Sequence, residues 1–313
     1  MKQLGHSTTQ QISANYGHLA NQHRQDEAKA CEPTIPDIDG FDTAGFLERH
    51  GVEHIVLPYA SKPPAGYFGA WANQFYVLDV ATHLADTLPE ADAVGILLDS
   101  DCVFTRSVGP LVEAARTHGA LTFDARIGPD EEQNGLTPRQ MGRIYADLGG
   151  FSGDGADPIP AYVGGEIVAG TRDALRAVTD EAASLWPEML RRHEAGLPKF
   201  NEEAHLLSFV YHRLGYSVGT ADPFIDRIYT WFTGANVRPG HEQMMIWHLP
   251  NEKRLGLRRL FRAVRDEASW FWILPADAWR DRLGRTLGVP SRTPTKWLLD
   301  LGRAVRDKVE RPA

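Results

Sequence analysis

The stretch that decides the fold is Ala93-Val94-Gly95-Ile96-Leu97-Leu98-Asp99-Ser100-Asp101. Six apolar or small residues follow one another without a polar interruption, and such a run predicts a strand that is buried on both faces. The run ends abruptly in two aspartates that are separated by one serine. In open α/β sheets, ligands bind beyond the carboxyl ends of the strands, so a binding site is expected here.

Segments with strand and helix patterns alternate on both sides of this run. Strands are predicted at 54–58, 120–123, 161–168, 216–218 and 244–249, and helices at 68–88, 109–117, 171–192 and 202–214. Three amphipathic helices are predicted near 254–267, 276–287 and 294–309. This alternation predicts an α/β fold with a mostly parallel sheet flanked by helices, plus a C-terminal helical appendage. We expect a catalytic domain over 1–252 and a basic helical tail over 253–313.

The composition excludes several classes of protein. The chain has 313 residues, 42% of them hydrophobic and 24% charged, which is ordinary for a soluble globular protein. A net charge of -8 argues against a protein that binds nucleic acid over its whole surface. Two cysteines exclude a disulfide scaffold and a four-cysteine zinc site, and they fit a reducing compartment. The N-terminal stretch has no apolar h-region, so we expect a cytoplasmic protein.

The charge is unevenly distributed along the chain. Residues 253–313 hold 15 Lys and Arg against 7 Asp and Glu, whereas the remainder is acidic. Cationic amphipathic helices with aromatic anchors, here Trp270-Phe271-Trp272, can lie on anionic membranes. The sequence therefore predicts a peripheral contact with the inner membrane face through the C-terminal helices. The alternatives are a helical cap on the acidic part of the same chain or a dimer contact.

The two aspartates at the end of the apolar run carry the strongest chemical signal. Charged groups in such a place are costly unless they hold a cation or a partner. Two hard oxygen ligands that leave positions for substrate phosphates suit Mg²⁺ or Mn²⁺. The alternative is a strand that ends in solvated, turn-forming aspartates.

The motif Asp99-Ser100-Asp101 after an apolar strand resembles the Asp-x-Asp motif of the GT-A fold glycosyltransferases that use nucleotide-diphospho-sugars. The resemblance implies Asp101 as a direct ligand of Mn²⁺ or Mg²⁺, and Asp99 on the metal or the ribose. It also implies a later metal ligand, His248, and a lysine that faces the diphosphate, Lys253. The implied activity is transfer of a sugar from a UDP- or GDP-type donor to a hydroxyl of a glycan, a lipid-linked or a small-molecule acceptor.

The same resemblance implies an acidic residue near the acceptor. Many members of the family carry one at the start of a helix that ends in Gly-Tyr before a strand. Here Glu202 or Glu203 begins such a helix and Gly215-Tyr216 ends it, and the spacing does not choose between the two glutamates. In inverting members this acid is the general base, which must reach the acceptor proton. The alternative is a glutamate that only stabilises the helix through its dipole.

Glycines and polar residues elsewhere add weaker signals. Gly164-Gly165 interrupts a predicted strand, which marks either the close approach of a ligand or another backbone, or a β-bulge. The family places a small-residue strand between its donor and acceptor pockets. It also places polar residues that contact the nucleotide or the sugar before the Asp-x-Asp motif. The residues at that place are Lys62, Asn73 and Gln74, with Trp71 expected in the core.

Two other functions remain open from the sequence. In a haloacid-dehalogenase-type phosphatase, Asp99 would be the nucleophile, Asp101 the acid/base and 153–157 the later acidic motif. A degenerate GT-A domain would bind a sugar nucleotide or a partner without turnover. It is motivated by the first strand, of which residues 1–6 form at best a stub, since the family binds the base there.

Overall fold

The computed structural model describes residues 40–69, 74–151, 159–231, 234–253 and 255–310. The helices are α1 (Thr43–Arg49), α2 (Tyr76–Thr87), α3 (Gly109–His118), α4 (Pro138–Asp147), α5 (Arg172–Glu194), α6 (Glu203–Arg213), α7 (Gly256–Val264), α8 (Trp270–Ile273), α9 (Ala276–Leu287) and α10 (Pro294–Glu310). The strands are β1 (Val94–Leu98), β2 (Cys102–Phe104), β3 (Ala120–Asp124), β4 (Val163–Thr171), β5 (Ile225–Arg227) and β6 (Ile246–His248). The fold is therefore α/β, as predicted. The predicted stub strand near the N-terminus lies outside the described residues.

The chain divides into two compact units. Among the described residues, those up to 100 and those within 111–221 form the first unit, and those within 101–110 and from 222 onward form the second. Ser100 ends one segment and Asp101 begins the next, so the Asp-x-Asp motif spans the boundary. The basic helices of the tail belong to the second unit together with β2, β5 and β6.

The sheet of the first unit has the order β1-β4-β3, and both pairings are antiparallel. Leu98 of β1 lies opposite Ile167 of β4, and the ladder continues through the bond from the Asp99 amide to the Glu166 carbonyl. Helices α2 and α5 bury large apolar side chains in this unit, among them Leu84 and Leu175. The apolar run thus forms the predicted strand over Val94–Leu98, but only its alternate residues, Gly95 and Leu97, are buried, so the predicted burial on both faces is wrong.

The second unit contains a three-stranded sheet of order β2-β6-β5. The β2–β6 pairing is antiparallel and the β5–β6 pairing is parallel. Its core surrounds the fully buried Trp247 with Leu260, Leu283 and Leu287.

The prediction of one mostly parallel sheet is not what the described residues form. Three of the four strand pairings among them are antiparallel. The physical reason is that an apolar run indicates only that a strand is at least partly buried, and it carries no information on the direction of the neighbouring strand. Direction is set by pairings between residues far apart in the chain, such as Val94 with Thr171.

Local signals set the helix boundaries. The Thr171 hydroxyl accepts the amide of Ala174 and caps α5, as its position in the sequence predicts. Helix α6 begins one residue later than predicted, because Glu202 rather than Asn201 is the N-cap. The Asn201 side chain instead accepts a hydrogen bond from the buried ammonium of Lys199.

Two predicted strands are absent from the described residues. Residues 54–58 and 216–218 are not in strands. At 54–58, Ile55 and Val56 point to solvent, so the apolar pattern has no sheet to cover. The tyrosine hydroxyl of Tyr76 bonds both the amide and the carbonyl of Leu57, which replaces the missing ladder there.

The helices of the tail pack into the core of the second unit. On α7, Leu260 and Ala263 are buried, and Trp270 and Phe271 pack against the same core. The apolar side of α7 is therefore used within the unit. In the part of the chain that the structure describes, no helix has the length and apolar character needed to cross a bilayer.

A buried ion network fixes the last helix. The ammonium of Lys296 on α10 lies 2.7 Å from Glu252 and 3.0 Å from Asp300, and all three side chains are buried. Thr230 donates to the same Glu252 oxygen. Because Glu252 directly precedes Lys253, this network also anchors the segment that carries that lysine.

Candidate metal centre and buried carboxylate cluster

The second unit brings together three of the residues that the sequence singles out. An oxygen of Asp101 lies 3.3 Å from Nε2 of His248, and the other lies 3.0 Å from the ammonium of Lys253. Asp101 is 1% exposed and His248 5%, whereas more than half of the Lys253 side chain is exposed. A buried carboxylate and an imidazole thus stand beside a lysine that reaches solvent.

Strand pairing creates this arrangement. Cys102 at the start of β2 lies directly opposite His248 at the end of β6, and the ladder extends to the bond from the Leu249 amide to the Asp101 carbonyl. Asp101 therefore sits at the end of a two-stranded ladder next to His248. A 3-10 turn, Pro250–Glu252, then turns the chain so that Lys253 faces the same carboxylate.

The electrostatics keep Asp101 ionised. Burial alone raises the pKa of its carboxyl, but the hydrogen bond and charge of His248 and the charge of Lys253 outweigh it, so the pKa lies below the usual 3.8. Apart from these contacts with His248 and Lys253, no described residue donates a hydrogen bond to either Asp101 oxygen. A buried carboxylate in this state is a strong ligand for a cation.

The structure adds a residue that the sequence reasoning missed. Asp101, Cys102 and His248 each offer one ligand atom, and these three atoms lie within 4.8 Å of one another. This group could hold a metal ion. Carboxylate, thiolate and imidazole together form a donor set that divalent metals use in proteins. The signal in the sequence was the position of Cys102 directly after the motif, but only the β2–β6 register shows that its side chain shares a face with His248.

The first unit holds a separate cluster of buried carboxylates. Glu166 and Glu202 are each 2% exposed and Glu203 is 7% exposed. Asp99 is half-buried and raises the pKa of Glu203, so it belongs to the same electrostatic environment. Asp99 as a metal ligand stays a prediction, because the described metal-binding group contains Asp101, Cys102 and His248.

Glu202 is held on both oxygens. Asn134 donates to one oxygen and the hydroxyl of Tyr162 donates to the other. His205 lies 3.5 Å from the second oxygen, and burial lowers the pKa of His205 to about 3, so the imidazole is neutral. Glu202 is therefore locked in a polar network at the start of α6.

Glu203 has a different environment. The side-chain nitrogen of Gln74, in the orientation that satisfies its hydrogen bonds, donates to both oxygens at 3.3 and 2.7 Å. Burial raises the pKa of Glu203 well above the usual 4.5, and the neighbouring carboxylates of Glu202, Asp99 and Glu166 raise it further. A carboxyl with a raised pKa is suited to general acid–base work near neutral pH.

The two glycines of β4 make room for these carboxylates. A Cβ on Gly165 would lie 2.6 Å from an oxygen of Glu203, and a Cβ on Gly164 would collide with the carboxylate of Glu166. The β3–β4 ladder also shifts register between Leu121 and Phe123, opposite this segment. The register shift fits the bulge interpretation. The atoms that approach the two glycines closely are side-chain carboxylate oxygens of this chain, and a ligand beside Gly164 and Gly165 stays a prediction.

Gly165→Ala is expected to lower the free energy of unfolding by about 1–3 kcal/mol, because the new methyl group must displace Glu203 from its place beside Gln74. The measurement is chemical denaturation of both proteins. Gly302→Ala on α10 is the matched control: its Cβ meets no atom within 4 Å, so this helical alanine should stabilise. Equal stability of the Gly165→Ala variant and the wild type would contradict the close approach.

The remaining predicted residues lie elsewhere. Lys62 is exposed on the segment between α1 and α2. Asn73 and Trp71 fall outside the described residues, as do residues 153–157, the later acidic motif of the phosphatase alternative.

Comparisons with models of protein families, with curated proteins and with solved structures give no match to this chain.

Proposed function

We propose that this protein is a metal-dependent glycosyltransferase that moves a sugar from a nucleotide diphosphate donor to an acceptor hydroxyl. The observation that carries the proposal is the group formed by Asp101, His248 and Lys253 in the second unit. A buried, ionised carboxylate and an imidazole can hold a divalent cation, and the exposed lysine beside them can meet an anion. Binding of a nucleoside diphosphate together with Mn²⁺ or Mg²⁺ requires a site for the cation and a positive side chain for the phosphates.

The roles of the individual side chains follow from their surroundings. Asp101 and His248 would hold Mn²⁺ or Mg²⁺, which when bound neutralises charge that builds up on the leaving diphosphate. Lys253 leaves Asp101 and donates to a phosphate oxygen, because its side chain already reaches solvent. We assign Asp99 to the donor's ribose, or to the metal as a further ligand.

Of the two glutamates, Glu203 is our candidate for the residue that takes the acceptor proton. Its pKa is raised, and Gln74, which donates to it, can keep the carboxylate in place as it ionises. Glu202 is engaged by Asn134 and Tyr162, so we assign it the task of fixing the start of α6. The sequence alone left these two residues equivalent.

Product analysis tests the proposal against its rivals. The protein is incubated with UDP- and GDP-sugars, with and without Mn²⁺, and in parallel with simple phosphate esters. A glycosyltransferase releases a nucleoside diphosphate only in the presence of metal. Release of inorganic phosphate from the esters would favour the phosphatase, and tight sugar-nucleotide binding without any release would favour the degenerate binding domain.

We also propose that the second unit docks on anionic membranes, which fits a lipid-linked acceptor. Arg258 and Arg262 are exposed on α7, and the exposed Arg265, its C-cap residue, follows at helical spacing. The indole of Trp272 on α8 donates to the carbonyl of Val264, the last residue of α7. The exposed side chains of Trp272 and Ile273 therefore lie next to the end of the arginine row. A cationic row beside exposed apolar side chains complements an anionic bilayer surface.

The wild type is expected to float together with vesicles of anionic lipid. With vesicles of neutral lipid it should remain unbound at the bottom of the gradient. Replacing Arg258, Arg262 and Arg265 together by glutamine should weaken vesicle binding by about 10²-fold, since each basic residue near the surface contributes about 1 kcal/mol. The measurement is co-flotation over a range of lipid concentrations.

The matched control changes the charge by the same amount in the first unit. Arg49, Arg116 and Arg139 are partly exposed there, and their replacement by glutamine should leave vesicle binding unchanged. Equal losses in the two triple variants, or no binding of the wild type to anionic vesicles, would overturn membrane docking.

A further inference from the structure

The position of Cys102 in the β2–β6 ladder has consequences for the choice of metal. Cys102 and His248 are direct partners in an antiparallel pair, and direct partners project their side chains to the same face. The carboxylate of Asp101 completes a group whose ligand atoms all lie within 4.8 Å. Each of the three side chains can therefore contribute one bond to the same ion.

The distances suit a small, sulfur-binding metal. Zinc binds thiolate at about 2.3 Å and imidazole nitrogen or carboxylate oxygen at about 2.0–2.2 Å, so two ligands of one tetrahedral zinc lie roughly 3.5 Å apart. The group must contract slightly from its present spread, and Lys253 must withdraw from Asp101. Lys253 can withdraw readily, because more than half of its side chain is exposed.

The donor set itself discriminates between metals. Mg²⁺ demands oxygen ligands in near-ideal octahedral geometry, whereas a thiolate and an imidazole select borderline-soft metals such as Co²⁺ and Zn²⁺. A site with only Asp101 and His248 would lack this selectivity. The identity of the third ligand therefore decides which cation the protein takes.

We infer that Cys102 is a ligand of the metal centre and that the centre prefers Co²⁺ and Zn²⁺ to Mg²⁺. This inference rests on the proposed function only in placing the cation at Asp101 and His248. Binding releases the thiol proton of Cys102 to solvent, as metal binding to cysteine requires. Mn²⁺ lies between Mg²⁺ and Co²⁺ in its affinity for such a site.

Cobalt absorption spectroscopy on the full chain tests the inference without measuring activity. The chelator-treated protein is titrated with Co²⁺, and a thiolate-to-cobalt charge-transfer band in the near ultraviolet is expected at one equivalent. Cys102→Ser should abolish the band and weaken Co²⁺ and Zn²⁺ binding by at least about 10²-fold, while affinity for Mg²⁺ changes little.

The chain supplies its own control, because its other cysteine is Cys31. Cys31→Ser should keep the band at full intensity. A band that disappears in Cys31→Ser, that survives in Cys102→Ser, or that is absent from the wild type would overturn the inference.

Failure of this inference and failure of the proposed function can be told apart by titrating the wild type, whose cobalt band has been measured, with UDP and GDP in the presence of Mn²⁺. Metal-dependent nucleotide binding without the cobalt band overturns the role of Cys102 and keeps the transferase proposal. The cobalt band without any nucleotide binding keeps the thiolate ligand and overturns the transferase proposal.

Discussion

Asp101→Asn is expected to lower metal-dependent sugar transfer by at least about 10²-fold. The asparagine keeps the shape of the side chain but loses the charge that holds a cation, and such Lewis-acid stabilisation of a leaving group is worth several kcal/mol. The fold should be kept, because Lys253 reaches solvent and is not left as a buried charge. The measurement is the rate of nucleoside diphosphate release at saturating Mn²⁺.

Asp101→Asn is also expected to change how the stability of the folded protein depends on pH. The pKa of Asp101 is lowered in the folded protein, so its carboxylate contributes stability above the usual value of 3.8, and this stability is lost as the pH falls through the folded pKa. Wild type should therefore be somewhat more stable than Asp101→Asn at neutral pH, and the difference should vanish in acid.

Asp277→Asn is the matched control, since Asp277 lies in the same unit and its side chain is 98% exposed. It should change neither the rate nor the stability by a measurable amount. Full transferase activity in Asp101→Asn would contradict the assignment of Asp101 as a metal ligand.

Glu203→Gln is the second variant with a large expected effect. It should lower the rate of transfer by about 10²- to 10⁴-fold, the range typical of general acid–base catalysis. Because the pKa of Glu203 is raised by burial and then by the neighbouring carboxylates, the wild-type rate should increase as the pH rises through that pKa, where the carboxylate becomes available as a base. The variant should lose this rise.

The same substitution should stabilise the protein at neutral and alkaline pH. A raised pKa means that the folded state binds the Glu203 proton more tightly than the unfolded state does, so wild-type stability falls as the pH rises above the usual 4.5. Glutamine is neutral throughout and escapes this penalty. Denaturation midpoints measured from about pH 4 to about pH 9 should diverge as the pH rises, with the variant more stable than the wild type.

Glu202→Gln separates the two neighbouring glutamates. Its carboxylate accepts from both Asn134 and Tyr162, and the amide can accept at one side only, so we expect a loss of about 1–3 kcal/mol in the free energy of unfolding. Parallel midpoint curves for wild type and Glu203→Gln, or greater stabilisation by Glu202→Gln, would contradict the assignment of the raised pKa to Glu203.

Much of the local structure could be predicted because it depends on near neighbours in the sequence. The apolar run before Asp99 predicted strand β1, and Thr171 predicted the start of helix α5; the structure contains both. Strand direction could not be predicted, since it depends on pairings such as that of β1 with β4, made across about 70 residues. The strand predicted at 54–58 was wrong for a related reason, because the apolar residues there do not face a sheet.

The candidate site shows the same limit. Asp101 was singled out by its place after an apolar run, and His248 and Lys253 by the resemblance to GT-A glycosyltransferases. The second unit brings the three residues together. The position of Cys102 directly after the motif was not enough to predict its place, because only the β2–β6 register sets it opposite His248. Likewise, the difference between Glu202 and Glu203 arises from Asn134, Tyr162 and Gln74, whose contacts are not local.

The central claim is that a metal held at Asp101 and His248 binds a nucleoside diphosphate, and isothermal titration calorimetry tests it most directly. UDP and GDP are each titrated into the protein with and without Mn²⁺. The account predicts that one of the two binds at one equivalent with Mn²⁺ and at least about 10²-fold more weakly without it. Absence of binding by both nucleotides, or binding that is indifferent to the metal, would contradict it.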